Sequence, residues 1–206
     1  MQNAFKQHWE NIYTTKTPEQ VSWTQEMPET SIAFLEALQL PKDASILDVG
    51  GGDSKFADYL LKKGFTNISV LDISEKSIER AKNRLGNEAN KIHWINSNIL
   101  DFQPSIKYDL WHDRAAFHFL TEKKEIDAYV QLASKFAKNL VIGTFSVDGP
   151  FKCSGLEITQ YDENKMKDLF QTAGFQNTEC KRVVHTTPFG STQNFVFCGF
   201  VKRDLE

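Results

Sequence analysis

Three consecutive glycines, Gly50, Gly51 and Gly52, separate an apolar run from an amphipathic one. Asp48 lies two residues before them, and Asp72 stands 20 residues beyond the last. Adjacent glycines cost backbone entropy on folding, so they belong where the chain turns sharply and a ligand must approach bare backbone. Asp72 closes the run Ile68-Ser69-Val70-Leu71-Asp72, and a carboxylate at that spacing can accept both hydroxyl protons of a ribose. The two features together select a nucleoside. A pyrophosphate-binding loop requires glycine at position 55 to bring the next helix under the phosphates, and that residue is Lys55. Asp48 adds negative charge beside the loop, which suits a ligand carrying an ammonium and a sulfonium better than one carrying phosphates. S-adenosyl-L-methionine is therefore expected in preference to NAD.

Such a loop needs a strand before it and a helix after it, and the pattern supplies both. Short β-branched runs at 45–49, 67–71, 91–96, 108–112, 140–145, 175–184 and 194–201 read as strands. Apolar residues at helical spacing fall between them: Phe56, Leu60 and Leu61; Ile78, Ala81 and Leu85 after the N-cap residue Ser74; Ile126 to Phe136; and Met166, Leu169 and Phe170 between Asp162 and Gly174. Alternation of this kind predicts a mostly parallel sheet with helices on both faces, because right-handed crossovers deposit helices there. The last two strands are joined by a turn too short for a crossover, so the final strand is expected to run antiparallel. Ahead of the first strand, Phe5, Trp9, Ile12 and Tyr13 fit one helix and Ile32, Phe34, Leu35 and Leu38 another. The expectation is a single α/β domain over 1–206, with an N-terminal helical cover at 1–40 and a seven-stranded Rossmann-like core at 41–206.

Asp48-Val49-Gly50-Gly51-Gly52 resembles the first motif of class I S-adenosylmethionine-dependent methyltransferases, and Leu71-Asp72-Ile73-Ser74 resembles their second. The resemblance extends over nearly the whole chain in element order, including the strand-strand ending. It implies that Gly50, Gly51 and Gly52 lie along the cofactor, that Asp72 holds the ribose and that Ile73 packs on the adenine. It further implies that Asn98 and Ile99 grip the adenine edge, where many relatives have Asp in place of Asn98. An amide can both donate and accept there.

Ligands of open α/β sheets bind beyond the carboxyl ends of the strands, so acceptor residues should follow the fourth, fifth and sixth. Asp113-Arg114-Ala115-Ala116 is similar to a stretch of thiopurine methyltransferase and its small-molecule relatives. That likeness implies that Asp113 and Arg114 frame the methyl acceptor, with His112 near the methionine end of the cofactor; a structural ion pair of Arg114 with Asp113 or another acid is the alternative. Cys153 and His185 could face the same pocket, His185 as a general base, although a lone Cys more often fills a core and a lone His a cap. Trp23, in a polar loop, can offer an aromatic face to a sulfonium, whereas Trp9 reads as the anchor of its helix.

The expected activity is methyl transfer to a small molecule through sulfur, oxygen or nitrogen. Protein lysine methylation is the alternative, since small members of this class with a similar N-terminal Trp-and-Tyr segment modify proteins; a nucleoside-binding module without chemistry ranks below both. Lys and Arg number 24 against 27 Asp and Glu, a net charge of −3, and their interspersion argues against a nucleic-acid partner. No apolar run reaches the roughly 20 residues of a membrane span, and the N-terminal stretch lacks the apolar centre of a secretory signal. A cytoplasmic location is expected. Cys153, Cys180 and Cys198 are odd in number and widely spaced, so all three are expected as reduced thiols, with no metal site.

Overall fold

The apolar run after Ala44 is buried at all five positions, as a strand must be when helices cover both of its faces. In the computed structural model, which describes residues 2–203, the chain begins with α1 (Gln2–Thr15), α2 (Glu29–Ala37), β1 (Ser45–Val49), α3 (Phe56–Lys62), β2 (Asn67–Asp72), α4 (Glu75–Leu85) and β3 (Ile92–Asn96). It continues through β4 (Tyr108–Arg114), α5 (Lys123–Phe136), β5 (Ala137–Phe145), β6 (Lys152–Cys153), β7 (Leu156–Glu157), α6 (Glu163–Gln171), β8 (Phe175–Thr186) and β9 (Thr192–Lys202). Seven strands form one sheet in the order β3-β2-β1-β4-β5-β9-β8. The first five pair in parallel, and β9 runs antiparallel to both β5 and β8. The architecture is the expected Rossmann-like one. Unforeseen are the insertion of β9 between β5 and β8 and the small β6–β7 hairpin, whose two-residue strands carry no readable period.

Side-chain alternation along the strands divides the core in two. Leu47, Val49, Trp111, Leu140 and Ile142 meet Tyr129 and Ala133 of α5 and Met166 and Phe170 of α6. On the opposite face, Ile46, Val70, Leu110 and Val141 meet Ile32 and Leu35 of α2 and Phe56 and Leu60 of α3. The second N-terminal helix is thus part of the sheet core, whereas α1 centres a separate cluster of Trp9, Ile12, Tyr13 and Val21.

Local chemistry ends the helices where the turns require it. Ser74 caps α4 by accepting from the Ser77 N–H at 3.2 Å, and Asp162 caps α6 by accepting from Lys165 N–H at 2.8 Å. Gly174, at φ +81°, follows α6. α1 and α4 also serve each other's ends. The Glu10 carboxylate accepts from Ser74 Oγ at 2.9 Å, Glu75 N at 2.8 Å and Lys76 N at 3.1 Å, at the positive end of α4. In return, Arg80 donates to the carbonyls of Tyr13 and Lys16 at the C-terminal end of α1. Burial alone would raise the Glu10 pKa, but these N–H donors outweigh it and hold the carboxyl below its ordinary value.

The expectation of three reduced thiols needs correction. Cys180 on β8 and Cys198 on β9 form a disulfide, with Cα atoms 4.1 Å apart, and Cys153 remains a buried free thiol. A bulge between Asn177 and Glu179 shifts the β8–β9 register by one residue, placing Cys180 opposite Cys198 rather than Phe197. No helix among the described residues is long and apolar enough to cross a membrane.

The disulfide closes a segment of 18 residues, so its reduction should lower the free energy of unfolding. Loop-closure entropy sets that loss at about 3 kcal/mol. Urea titrations with and without dithiothreitol, with Cys180→Ser as the reference, measure it; coincident curves would show that the two thiols are not joined.

Candidate active site

Where β1 ends, the backbone turns at Gly50 with φ +67°, and its N–H donates to the Leu71 carbonyl at 2.7 Å. A Cβ on Gly50 would stand 2.7 Å from the Ala116 methyl, one on Gly51 would overlap the Asp48 carboxylate, and one on Gly52 would overlap Ser77 and Asp72. Each glycine is therefore required for its own reason. Gly50 and Gly51 line a cleft of about 1030 Å³ that runs beneath α1 along the carboxyl ends of the strands. Gly52 is not part of the lining; its N–H turns away and donates to Asp72 Oδ2 at 3.0 Å.

Asp72 is buried beside the loop, and its Oδ1 accepts from Ser74 N at 2.8 Å. Burial pushes its pKa up to about 6, against the opposing donation from Ser74, Ser77 and Gly52 and with a small upward push from Asp48. Asn96 fixes the backbone around it by donating to the carbonyls of Asp72 at 3.1 Å and Ile73 at 3.0 Å. Ile73, Asn98 and Ile99 line the same end of the cleft. Asn98 Oδ1 is committed to Leu100 N at 3.0 Å, so its amide nitrogen is the group left for a ligand.

Asp48 and His112 form a buried pair behind the glycines. His112 Nδ1 lies 2.6 Å from Asp48 Oδ1, its Nε2 lies 2.8 Å from Ser31 Oγ, and its ring packs against Phe56 at 4.2 Å. The tautomer that donates from Nδ1 to the carboxylate leaves Nε2 to accept from the Ser31 hydroxyl. Among the described residues, Asp48 Oδ2 is buried without a hydrogen-bond partner, and both Asp48 and His112 line the cleft. An orphaned carboxylate oxygen is costly unless a ligand donates to it.

The sheet separates Asp113 from Arg114. β4 continues past His112 to Arg114, so neighbouring side chains point to opposite faces. Asp113 is fully buried on the α5 side, outside the cleft lining. Its carboxylate accepts from Tyr129 Oη at 2.8 Å, Phe117 N at 2.9 Å and Ala116 N at 3.0 Å, fixing the turn that brings Ala116 against Gly50. Burial raises its pKa to about 6 in spite of these donors. Arg114 does line the cleft, and its Nη2 donates to the Trp23 carbonyl at 2.8 Å.

His185 belongs to β8 and lies behind the loop that carries Trp23, not in the cleft lining. Its Nε2 is 2.6 Å from the Ser22 carbonyl and its Nδ1 is 3.3 Å from Gln25 Nε2, so both ring nitrogens hold the loop. Burial lowers its pKa, the Ser22 carbonyl opposing this. Cys153 does face the cleft; burial pushes its thiol up to about 12, leaving it protonated at neutral pH. Trp23 also lines the cleft, with its ring 5.6 Å from Trp9 and 6.1 Å from Tyr13. Sequence reasoning did not single out Phe119, 5.1 Å from Trp9, or His8, whose buried Nε2 has no partner among the described residues. The stripe Phe5, Trp9 and Tyr13, spaced one helical turn apart, was the available signal for the face that α1 presents.

Asp113→Ala leaves three donors unpaired in the core, and an unfolding free energy lower by about 3 kcal/mol or more is expected. Urea denaturation measures this, and an unchanged midpoint would return Asp113 to consideration as an acceptor-facing group.

Residues 46–139 match a family model described as a methyltransferase domain. Malonyl-[acyl-carrier protein] O-methyltransferase 2 of Ilyobacter polytropus is 31% identical over 109 residues, which cover 52% of this chain and 42% of that protein. EEF1A lysine methyltransferase 2 of Mus musculus is 28% identical over 132 residues, covering 60% of this chain and 51% of that protein. The chain thus spans about half the length of these curated relatives, at 42% and 51%. Among solved structures, N-methyltransferase NodS from Bradyrhizobium japonicum WM9, in complex with S-adenosyl-L-homocysteine, superposes with a TM-score of 0.74 at 18% identity, covering 97% of this chain and 98% of that one. With its seven-stranded sheet, the chain has the class I methyltransferase fold, and residues 46–139 within it are similar to a methyltransferase domain.

Proposed function

We propose that this protein is an S-adenosyl-L-methionine-dependent methyltransferase acting on a small-molecule acceptor. The observation that carries the reading is the pairing of bared backbone at Gly50 and Gly51 with two buried carboxylates, Asp72 and Asp48, the latter with an unpartnered oxygen. That set suits a ribose joined to an ammonium-bearing chain. Bound there, the cofactor supplies a methyl group on a positively charged sulfur.

The remaining work falls to the protein. Asp72 accepts from the ribose hydroxyls, Ile73 and Ile99 flank the adenine, and the Asn98 amide nitrogen donates to its edge. Asp48 Oδ2 takes the ammonium, and His112, braced by Ser31, keeps that carboxylate in place. Trp9, Tyr13 and Trp23 give the sulfonium aromatic surface, and α1 closes the cleft against water, so that alignment in a dry site supplies the rate. An acceptor arriving with a free lone pair requires no base. His185 and Cys153 are unsuited to that task, the first because both its nitrogens are engaged and the second because its proton is held to about pH 12. His8 is the imidazole that faces the cleft with a nitrogen free.

The similarity to EEF1A lysine methyltransferase 2 supports a second reading, methylation of a protein lysine. Tritiated cofactor incubated with a cell lysate separates the two: label in the small-molecule fraction supports the first, and label confined to protein supports the second.

The raised Asp72 pKa sets the direction of a pH effect. Ionised Asp72 accepts both ribose protons and protonated Asp72 does not, so affinity is full above the pKa and is lost as pH falls through about 6. Calorimetric titration with S-adenosyl-L-homocysteine should show this decline, and Asp72→Asn should bind weakly with a flat profile. Failure of the wild-type protein to bind the compound at any pH would remove the cofactor assignment.

A further inference from the structure

Among the described residues, Arg114 is a cation without an ion-pair partner. Arg80, Arg84 and Arg182 each pair with carboxylates, whereas Arg114 forms no ion pair among the described residues. Its neighbours explain this. Asp113 points to the other face of the sheet and is filled by its own donors. Asp48 acts on Arg114 only through space: its Oδ1 is bound to His112, and its unpartnered Oδ2 makes no ion pair with the guanidinium. Of the five N–H donors of a guanidinium, one goes to the Trp23 carbonyl, and that is the only side-chain hydrogen bond of Arg114 among the described residues. Arginine cannot escape burial by losing its proton, so a largely buried, unpaired guanidinium in a cleft wall is costly unless an anion arrives from outside.

We infer that the methyl acceptor carries a carboxylate, or an equivalent planar oxyanion, which Arg114 grips while the acceptor's apolar body lies against Trp9, Phe119 and Leu156. This rests on the methyltransferase reading and names the acceptor class within it. Arg114 stands on the β4 side of the cleft, close enough to the Cys153 thiol of the β6–β7 hairpin to act on it, and shares with His185 a small void of about 10 Å³. Its position is therefore toward the loops after β5 and β8, away from the β2 end where the ribose acid lies. The aromatic wall is continuous with it through Trp23, whose ring is 5.6 Å from Trp9, itself 5.1 Å from Phe119. The same cation opposes entry of a lysine ammonium, so the site favours an anionic small molecule over a protein lysine. The methionine end of the cofactor also carries a carboxylate, and the experiment separates the two sources.

Protein saturated with S-adenosyl-L-homocysteine is titrated with para-fluorobenzoate, para-fluorobenzamide and para-fluorobenzylamine, followed by fluorine NMR. The carboxylate should bind about tenfold or more tightly than the amide or the amine, the ratio that charge-assisted hydrogen bonds support. Arg114→Met should abolish that preference while changing affinity for S-adenosyl-L-homocysteine by less than about threefold, and Arg114→Lys, which keeps the charge without the fork, should keep part of it. Absence of a carboxylate preference in the wild-type protein overturns the inference. So does a loss in Arg114→Met of affinity for S-adenosyl-L-homocysteine with probe binding intact, which would assign the guanidinium to the cofactor. Wild-type protein that fails to bind S-adenosyl-L-homocysteine at all sinks the parent reading instead.

Discussion

Two carboxylates pressed against a backbone that has no side chains govern this site. Asp48, next to last in β1, and Asp72, last in β2, lie on adjacent parallel strands, and the glycine loop passes so close to both that a single methyl on Gly51 or Gly52 would occupy the space of an acid. Burying two like charges is unfavourable, and the structure meets that cost with specific donors: the His112 ring for Asp48, and the N–H groups of Gly52 and Ser74 for Asp72. The capacity left over, a free oxygen on Asp48 and a carboxylate on Asp72 that titrates near 6, is what a ligand can use.

Several elements far apart in sequence exist to hold that arrangement. Asp113 braces the turn that sets the Ala116 methyl against Gly50, and Tyr129 of α5 braces Asp113, donating to it while accepting from Trp111 Nε1 at 3.0 Å. His185 anchors the loop of Trp23, and Glu10 anchors α1 to the start of α4, immediately beyond Asp72. The helix that roofs the cleft is thus fastened to the strand end that carries the ribose acid.

The glycine loop, the alternation of strands and helices, the Ser74 cap and the Gly174 stop were legible in the sequence because each depends on local geometry. The roles first given to Asp113 and His185 depended on where strands end. With β4 ending at His112, Asp113 and Arg114 would share a loop and could face one ligand; the strand runs on to Arg114, and alternation sends them apart. In the same way β8 reaches Thr186, which places His185 in a strand rather than in a rim loop. The Cys180–Cys198 bond turned on a one-residue bulge, and bulges leave little trace in composition. The mutual capping of α1 and α4 joins positions more than sixty residues apart, beyond the reach of any periodicity.

The most direct test is a crystal structure of the protein with S-adenosyl-L-homocysteine. The ribose hydroxyls should lie on the Asp72 carboxylate, the amino group on Asp48 Oδ2 and the chain between them over Gly50 and Gly51. Ligand density elsewhere, or a ribose held by a residue other than Asp72, would contradict the cofactor assignment.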